Sequence, residues 1–223
     1  MSTRSSPWPQ PLQPLRVGLL APPWVPVPPA EYGGTEEVID HLARGLTRRG
    51  CDVTLFTTGD SSCPVRRRWH YPAALSTTAN LNDELAHVRH AYEEFRDVDI
   101  VHDHTLLGPV WAAACGHQGP IVTTVHGPFS HDMREHFKRI SDWTQIIAIS
   151  SAQRASAPEV PVRTVIHHGI DLEAFPLGNG DGGYVLFLGR MSSDKGVHRA
   201  INIARAAGRR ILIAAKMWEP SEH

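Results

Sequence analysis

Apolar and polar residues alternate along this chain in blocks, and the period switches repeatedly between that of a strand and that of a helix. Residues 16–21 form a short apolar run that predicts a first, buried strand. A loop follows over 22–30, where five prolines forbid regular structure. Val38, Ile39, Leu42 and Leu46 then recur at helical spacing, with Glu36, Glu37, Asp40, Arg44 and Arg48 on the opposite face. Thr35 is the expected N-cap, and the two glutamates sit in the first turn, where the helix dipole favours them. Gly50 marks the end of this helix, and a second strand is expected over 52–56.

The alternation continues with a helix over 81–95, a strand over 99–102 and a helix over 107–115. A strand over 121–125, a helix over 131–140, and strands over 145–149 and 162–166 come next. Strands this apolar are buried on both faces, as in doubly wound α/β sheets. The run 178–183, Gly-Asn-Gly-Asp-Gly-Gly, then reads as a flexible linker. Beyond it the pattern restarts: strand over 184–188, helix over 197–207, strand over 211–215. Two strands and a helix do not bury a core alone. The expected organisation is therefore a leader over 1–14, a parallel-sheet N-terminal domain over 15–177, a linker over 178–183, and the start of an incomplete second domain over 184–223. The leader is rich in Ser and Pro, with no apolar stretch of its own, and is expected to be disordered rather than a signal peptide.

Composition narrows the classes. Lys+Arg total 22 against 23 for Asp+Glu, so the basic excess of a nucleic-acid binder is missing. No apolar run approaches the roughly 20 residues of a membrane helix. Cys51, Cys63 and Cys115 are odd in number and lack metal-type spacing, which suits a reduced, cytoplasmic compartment. The run Arg66-Arg67-Arg68-Trp69 reads either as a contact for an anionic lipid or acceptor, or as a solvated edge.

In open parallel sheets, ligands bind beyond the carboxyl ends of the strands. Those ends are rich in polar residues here. Gly33-Gly34 precedes a helix, where backbone N–H groups can approach an anion; a plain tight turn is the alternative, and Glu36 and Glu37 would oppose an anion. Arg190 and Lys195 flank a strand-to-helix loop, so both can face one site, as a diphosphate leaving group requires; otherwise they are solvated surface charges. His102-Asp103-His104 follows another strand, and alternation puts both imidazoles on one face. No H-E-x-x-H helix or clear third ligand accompanies them, so a hydrogen-bonding wall for a polar acceptor fits better than zinc. His126 and the pair His167-His168 read as general bases, as ligands, or as polar residues lining a cleft.

Taken in order, PPAEYGGTEEVIDHLARGLTRRGCDVTLFTTGDS, DIVHDHT, TTVHGPF, AISSAQR, VIHHGIDLEAF and LFLGRMSSDKGVHRAI resemble glycosyltransferase family 4, the retaining GT-B enzymes. The resemblance runs over nearly the whole chain from Arg16. It implies an α/β fold of GT-B type: a Rossmann-like N-terminal domain that holds the acceptor, plus the first β-α-β unit of a second Rossmann-like domain that holds a nucleotide-sugar. By motif, Gly33 and Gly34 would meet the donor diphosphate from the first domain, and Arg190 and Lys195 from the second. His126 would be the catalytic residue beside the transferred sugar. Tyr32, His102, His104, Ser150 and His168 are the acceptor-side candidates. The implied reaction moves a hexose from a nucleotide-diphosphate sugar to an acceptor hydroxyl with retention, with no cofactor and no metal in the site.

Position 168 is His where the family usually has Asn before the Gly. The family's later acidic motif and base-binding surface would fall beyond residue 223, so this chain alone is expected to show little transfer. The expected partners are a nucleotide-sugar and a hydroxyl-bearing acceptor, with no nucleic acid and at most a peripheral membrane contact. The alternatives are a non-catalytic acceptor- or partner-binding module, a histidine-rich metal hydrolase, and a GT-B sugar-nucleotide epimerase.

Overall fold

The computed structural model describes residues 13–75 and 80–217, so the leader expected over 1–14 lies, but for its last two residues, outside the described residues. The chain divides into two compact units, Met1–Ile170 and Asp171–His223.

The first unit is built on β1 (Arg16–Leu20), β2 (Asp52–Thr57), β3 (Arg66–Trp69), β4 (Ile100–Asp103), β5 (Ile121–Val125), β6 (Gln145–Ala148) and β7 (Val162–Val165). They form one seven-stranded sheet in the order β3-β2-β1-β4-β5-β6-β7, and every neighbouring pair is parallel. Among its described residues are five helices: α1 (Gly34–Arg48), α2 (Leu81–Glu94), α3 (Gly108–Cys115), α4 (His131–Ile140) and α5 (Ser151–Ser156).

Successive side chains of a strand point to opposite faces, so a strand buried on both sides feeds two cores. Leu19 and Leu55 pack with Ile39 and Ala43 of α1 on one face. Leu20 and Phe56, one residue further along, pack with Val88 and Ala91 of α2 and with Phe95 on the other. Each fully buried Leu, Ile, Val or Phe among them stabilises the fold by about 1.5–3 kcal/mol. A third cluster joins Phe137 and Ile140 of α4 to Val125, Ile146 and Ala148.

Three local features differ from the sequence pattern. Gly33, not Thr35, is the N-cap of α1, and it offers no side-chain cap. Glu36 and Glu37 lie in the first turn, where the helix dipole favours acidic side chains. The basic run 66–69 is itself the edge strand β3, with Arg66 near Asp52 at 3.5 Å and Arg68 near Glu94 at 3.3 Å. Charged side chains on an edge discourage pairing with another chain. The short helix α5 has no apolar periodicity to announce it; none of its residues is buried.

In the second unit, β8 (Tyr184–Arg190) and β9 (Arg210–Lys216) form a two-stranded parallel sheet joined through α6 (Val197–Ala206). Val197 and Ala204 of α6 are buried, while Leu186 and Leu188 of β8 stay largely exposed. No helix among the described residues is long and apolar enough to cross a membrane.

Candidate functional site

The chain runs outward from β1 through β2 to β3, then returns to the far side of β1 and continues from β4 to β7. Strand order therefore reverses between β1 and β4, and the crevice beyond the carboxyl ends of these two strands is where such sheets bind ligands. His104 is seated there, its backbone N–H donating to the Leu20 carbonyl at 3.0 Å.

Four imidazoles form a column at this end of the sheet. The rings of His102 and His104 stack with centroids 4.3 Å apart, as the strand alternation requires. His104 Nδ1 lies 2.8 Å from His126 Nε2, which comes from the end of β5. The His126 ring in turn stacks on His168, beyond β7, at 5.3 Å. His102 Nε2 lies 2.8 Å from Thr124 Oγ1. Burial lowers His102 and His126 to about 4 and His104 well below the usual 6.5; His168 is lowered as well. At neutral pH the column is uncharged, and a wall of neutral imidazoles suits hydroxyls better than anions.

Asp103 sits behind this wall and is fully buried. One carboxylate oxygen accepts from Tyr92 Oη at 2.8 Å; the other accepts from the backbone N–H of Thr105 at 2.8 Å and from Thr105 Oγ1 at 2.7 Å. Burial raises its carboxyl to about 7. Gly108 is required beside it, because a Cβ there would overlap Asp103 Oδ2. Glu84 Oε1 accepts from the backbone N–H groups of Leu106 at 2.6 Å and Leu107 at 3.1 Å, at the start of α3. These bonds fix the chain that leaves β4 directly after His104.

The glycine pair meets the same sheet end from β1. A Cβ on Gly33 would come within 2.7 Å of Pro29 Cβ and 2.9 Å of Glu36 Oε2, whereas the space around Gly34 is open. Glu36 is buried, and burial raises its carboxyl. The N-terminus of α1 therefore already faces one carboxylate. Tyr32 is 44% exposed just before it. Ser150 caps α5, its Oγ accepting from Gln153 N at 3.0 Å.

In the second unit, Arg190 and Lys195 approach one carboxylate. Arg190 is 3.6 Å and Lys195 3.8 Å from opposite oxygens of Asp194, and Arg190 Nε also bonds Ser192 Oγ at 3.2 Å. The hydrogen bond to Ser192, with the two cations, lowers the Asp194 carboxyl. Among the described residues, no group of three or more His, Cys, Asp or Glu is arranged to hold a metal ion.

The family described as Glycosyltransferase Family 4 matches residues 32–174, more than half of the chain, from the glycine pair through the histidine column. The chain belongs to this family. The match ends before Arg190 and Lys195. AviGT4, a glycosyltransferase involved in avilamycin A biosynthesis, is 26% identical with a TM-score of 0.59, covering 94% of this chain and 58% of its own. Sucrose-phosphate synthase from Thermosynechococcus elongatus is 17% identical with a TM-score of 0.71, covering 93% and 63%. Anabaena Alr3699/HepE, solved in complex with UDP-glucose, is 14% identical with a TM-score of 0.62, covering 89% and 59%. The last two likenesses are of fold. The chain spans about three fifths of the length of these structures. No curated protein matches it. The architecture of this family 4 chain is thus of GT-B type, a Rossmann-like parallel sheet followed by a β-α-β unit.

At this end of the sheet, sequence reasoning missed the residues that hold the histidines in place. Gln153 Nε2 donates to the carbonyls of Val125 at 2.9 Å and Gly127 at 2.6 Å, on either side of His126. Its Oε1 accepts from Ile149 N at 2.7 Å. The signal available was the Ser150-x-x-Gln153 spacing of a capping box, in which the Ser half is met and the Gln side chain reaches elsewhere. Thr124, Tyr92 and Glu84 carried no local signal, because each acts on a residue distant in sequence.

Proposed function

We propose that this family 4 protein serves the transfer of a hexose from a nucleotide-diphosphate sugar to an acceptor hydroxyl, with retention of configuration. The observation that carries the reading is the uncharged histidine column at the switch point, one strand away from the glycine pair. In this reading His126 contacts the transferred sugar, and Tyr32, His102, His104, Ser150 and His168 face the acceptor. Gly33 and Gly34 receive the diphosphate from the first unit, and Arg190 and Lys195 from the second. The bond from the anomeric carbon to the diphosphate oxygen breaks, the bond to the acceptor oxygen forms, and the acceptor proton passes to the departing diphosphate. Charge grows on the diphosphate as it leaves, and fixed cations act on that charge. Their common partner Asp194 supports this assignment, since it holds both on one side of their loop. With two protein cations in that role, the proposal includes no resident metal. A cytoplasmic setting is part of the reading, supported by the free thiols of Cys51, Cys63 and Cys115.

Titration of the isotope-labelled chain with UDP-, GDP- and ADP-hexoses, carried to concentrations of roughly ten millimolar so that weak binding registers, tests the assignment. One donor is expected to shift the amides of Gly33 and Gly34, the His126 ring, and the loop holding Arg190 and Lys195. Arg190→Ala and Lys195→Ala are each expected to weaken that donor by about tenfold, the scale of one charge-assisted contact. A panel in which no donor moves either set of resonances defeats the proposal. Anomeric analysis of any transferred product decides retention.

A further inference from the structure

We propose that His104 is a positioning residue that fixes the tautomer of His126, so that His126 faces the crevice as an N–H donor through Nδ1 and not as a base. The 2.8 Å separation of His104 Nδ1 and His126 Nε2 requires one ring to donate and the other to accept. Two arrangements satisfy it, and they differ at the opposite side of the His104 ring. His104 Nε2 is fully enclosed and has no hydrogen-bond partner among the described residues.

If His126 donated from Nε2, His104 would accept at Nδ1 and carry its own hydrogen on Nε2. That would leave a buried N–H with no acceptor. If His104 donates from Nδ1, its Nε2 is a bare lone pair. Orphaned buried N–H groups are rare in native proteins, and incompletely satisfied acceptors are less so. The second arrangement is therefore the stable one, and the neutral state of both rings leaves no third.

The consequence passes to His126. Its Nε2 is committed as an acceptor, so its hydrogen is on Nδ1. Nδ1 has no partner among the described residues and is not an enclosed atom. The edge that this ring offers to a ligand is thus a donor, suited to a sugar hydroxyl or ring oxygen, with no lone pair to take a proton. The loop geometry is held independently by Gln153, so the contribution of His104 is the choice of tautomer. The sugar as ligand rests on the transferase reading above; the tautomer does not.

Long-range proton–nitrogen correlation spectra of the labelled full chain at neutral pH decide the matter. They report which nitrogen of each imidazole carries hydrogen, with His104 and His126 assigned from single substitutions. The expected result is hydrogen on Nδ1 in both rings, with both Nε2 resonances in the unprotonated range. Hydrogen on Nε2 of either ring overturns the proposal, whether or not any donor binds. Two variants separate positioning from packing. In His104→Phe, His126 is expected to move towards the Nε2–H form, and in His104→Gln, whose amide can donate to Nε2, to keep Nδ1–H. An unchanged His126 in a folded His104→Phe also overturns it. If that variant does not fold, the wild-type spectrum decides alone.

Discussion

The side-chain amide of Gln153 donates to the Gly127 carbonyl at 2.6 Å, and so ties α5 to the turn that carries His126. The same nitrogen reaches the Val125 carbonyl, and the amide oxygen takes the Ile149 N–H. One side chain thus joins the ends of β5 and β6. Gln153→Ala removes all of these bonds and is expected to cost about 1–3 kcal/mol. Hydrogen exchange should accelerate first at the amides near Gly127 and Ile149. Unchanged protection there would mean that the turn is held by something else.

Acidification from pH 6.5 to 4 is expected to destabilise the first unit through its buried imidazoles. His87 is fully buried, and its Nε2 lies 3.0 Å from the Ala21 carbonyl. Burial lowers it from the usual 6.5 to about 4. Between those values the unfolded chain binds the proton and the folded chain does not, so stability falls as pH drops through 6.5 and levels off near 4. The separation corresponds to about 3 kcal/mol as an upper figure. His102 and His126 act in the same direction. Asp103, raised to about 7, acts in the opposite one over 3.8 to 7. Urea midpoints from pH 7 to 4.5 isolate the His87 share by comparison with His87→Gln, which can still donate to Ala21. The variant should show the shallower decline.

A pair of glycine substitutions should have opposite signs. Gly108→Ala drives a methyl group into Asp103 Oδ2 and is expected to cost about 1–3 kcal/mol. Gly45→Ala, inside α1 with open space around it, is expected to add about 0.5–1 kcal/mol. Chemical denaturation of both variants checks the prediction. Equal effects would show that the crowding at Gly108 is not real.

Tyr92→Phe takes the phenol from Asp103 and leaves one buried carboxylate oxygen without its partner at 2.8 Å. The expected loss is about 1–3 kcal/mol. Thermal melts at pH 7 and pH 5 should show a smaller loss at the lower pH, where Asp103 is protonated more fully.

Much of the parallel sheet was legible in the pattern of side chains. Leu19 and Leu20, or Leu55 and Phe56, are adjacent apolar residues, and only burial on two faces accommodates both. The edge strand β3 was not legible as a strand. Arg66-Arg67-Arg68-Trp69 has no apolar alternation, and its extended form comes from backbone bonding to β2. The first helix has its N-cap at Gly33, two residues earlier than Thr35 suggested.

Composition and periodicity determined the alternating elements, their burial, and the common face of His102 and His104, since these follow from bonding geometry between residues near in sequence. Tertiary structure alone decided that His126 and His168 join that face, and that one His104 nitrogen has no partner among the described residues. It also decided that Gln153 grips the turn beside His126. Those relations are set by which strands become neighbours and by what water is excluded from between them. Neither is encoded in any short stretch of chain.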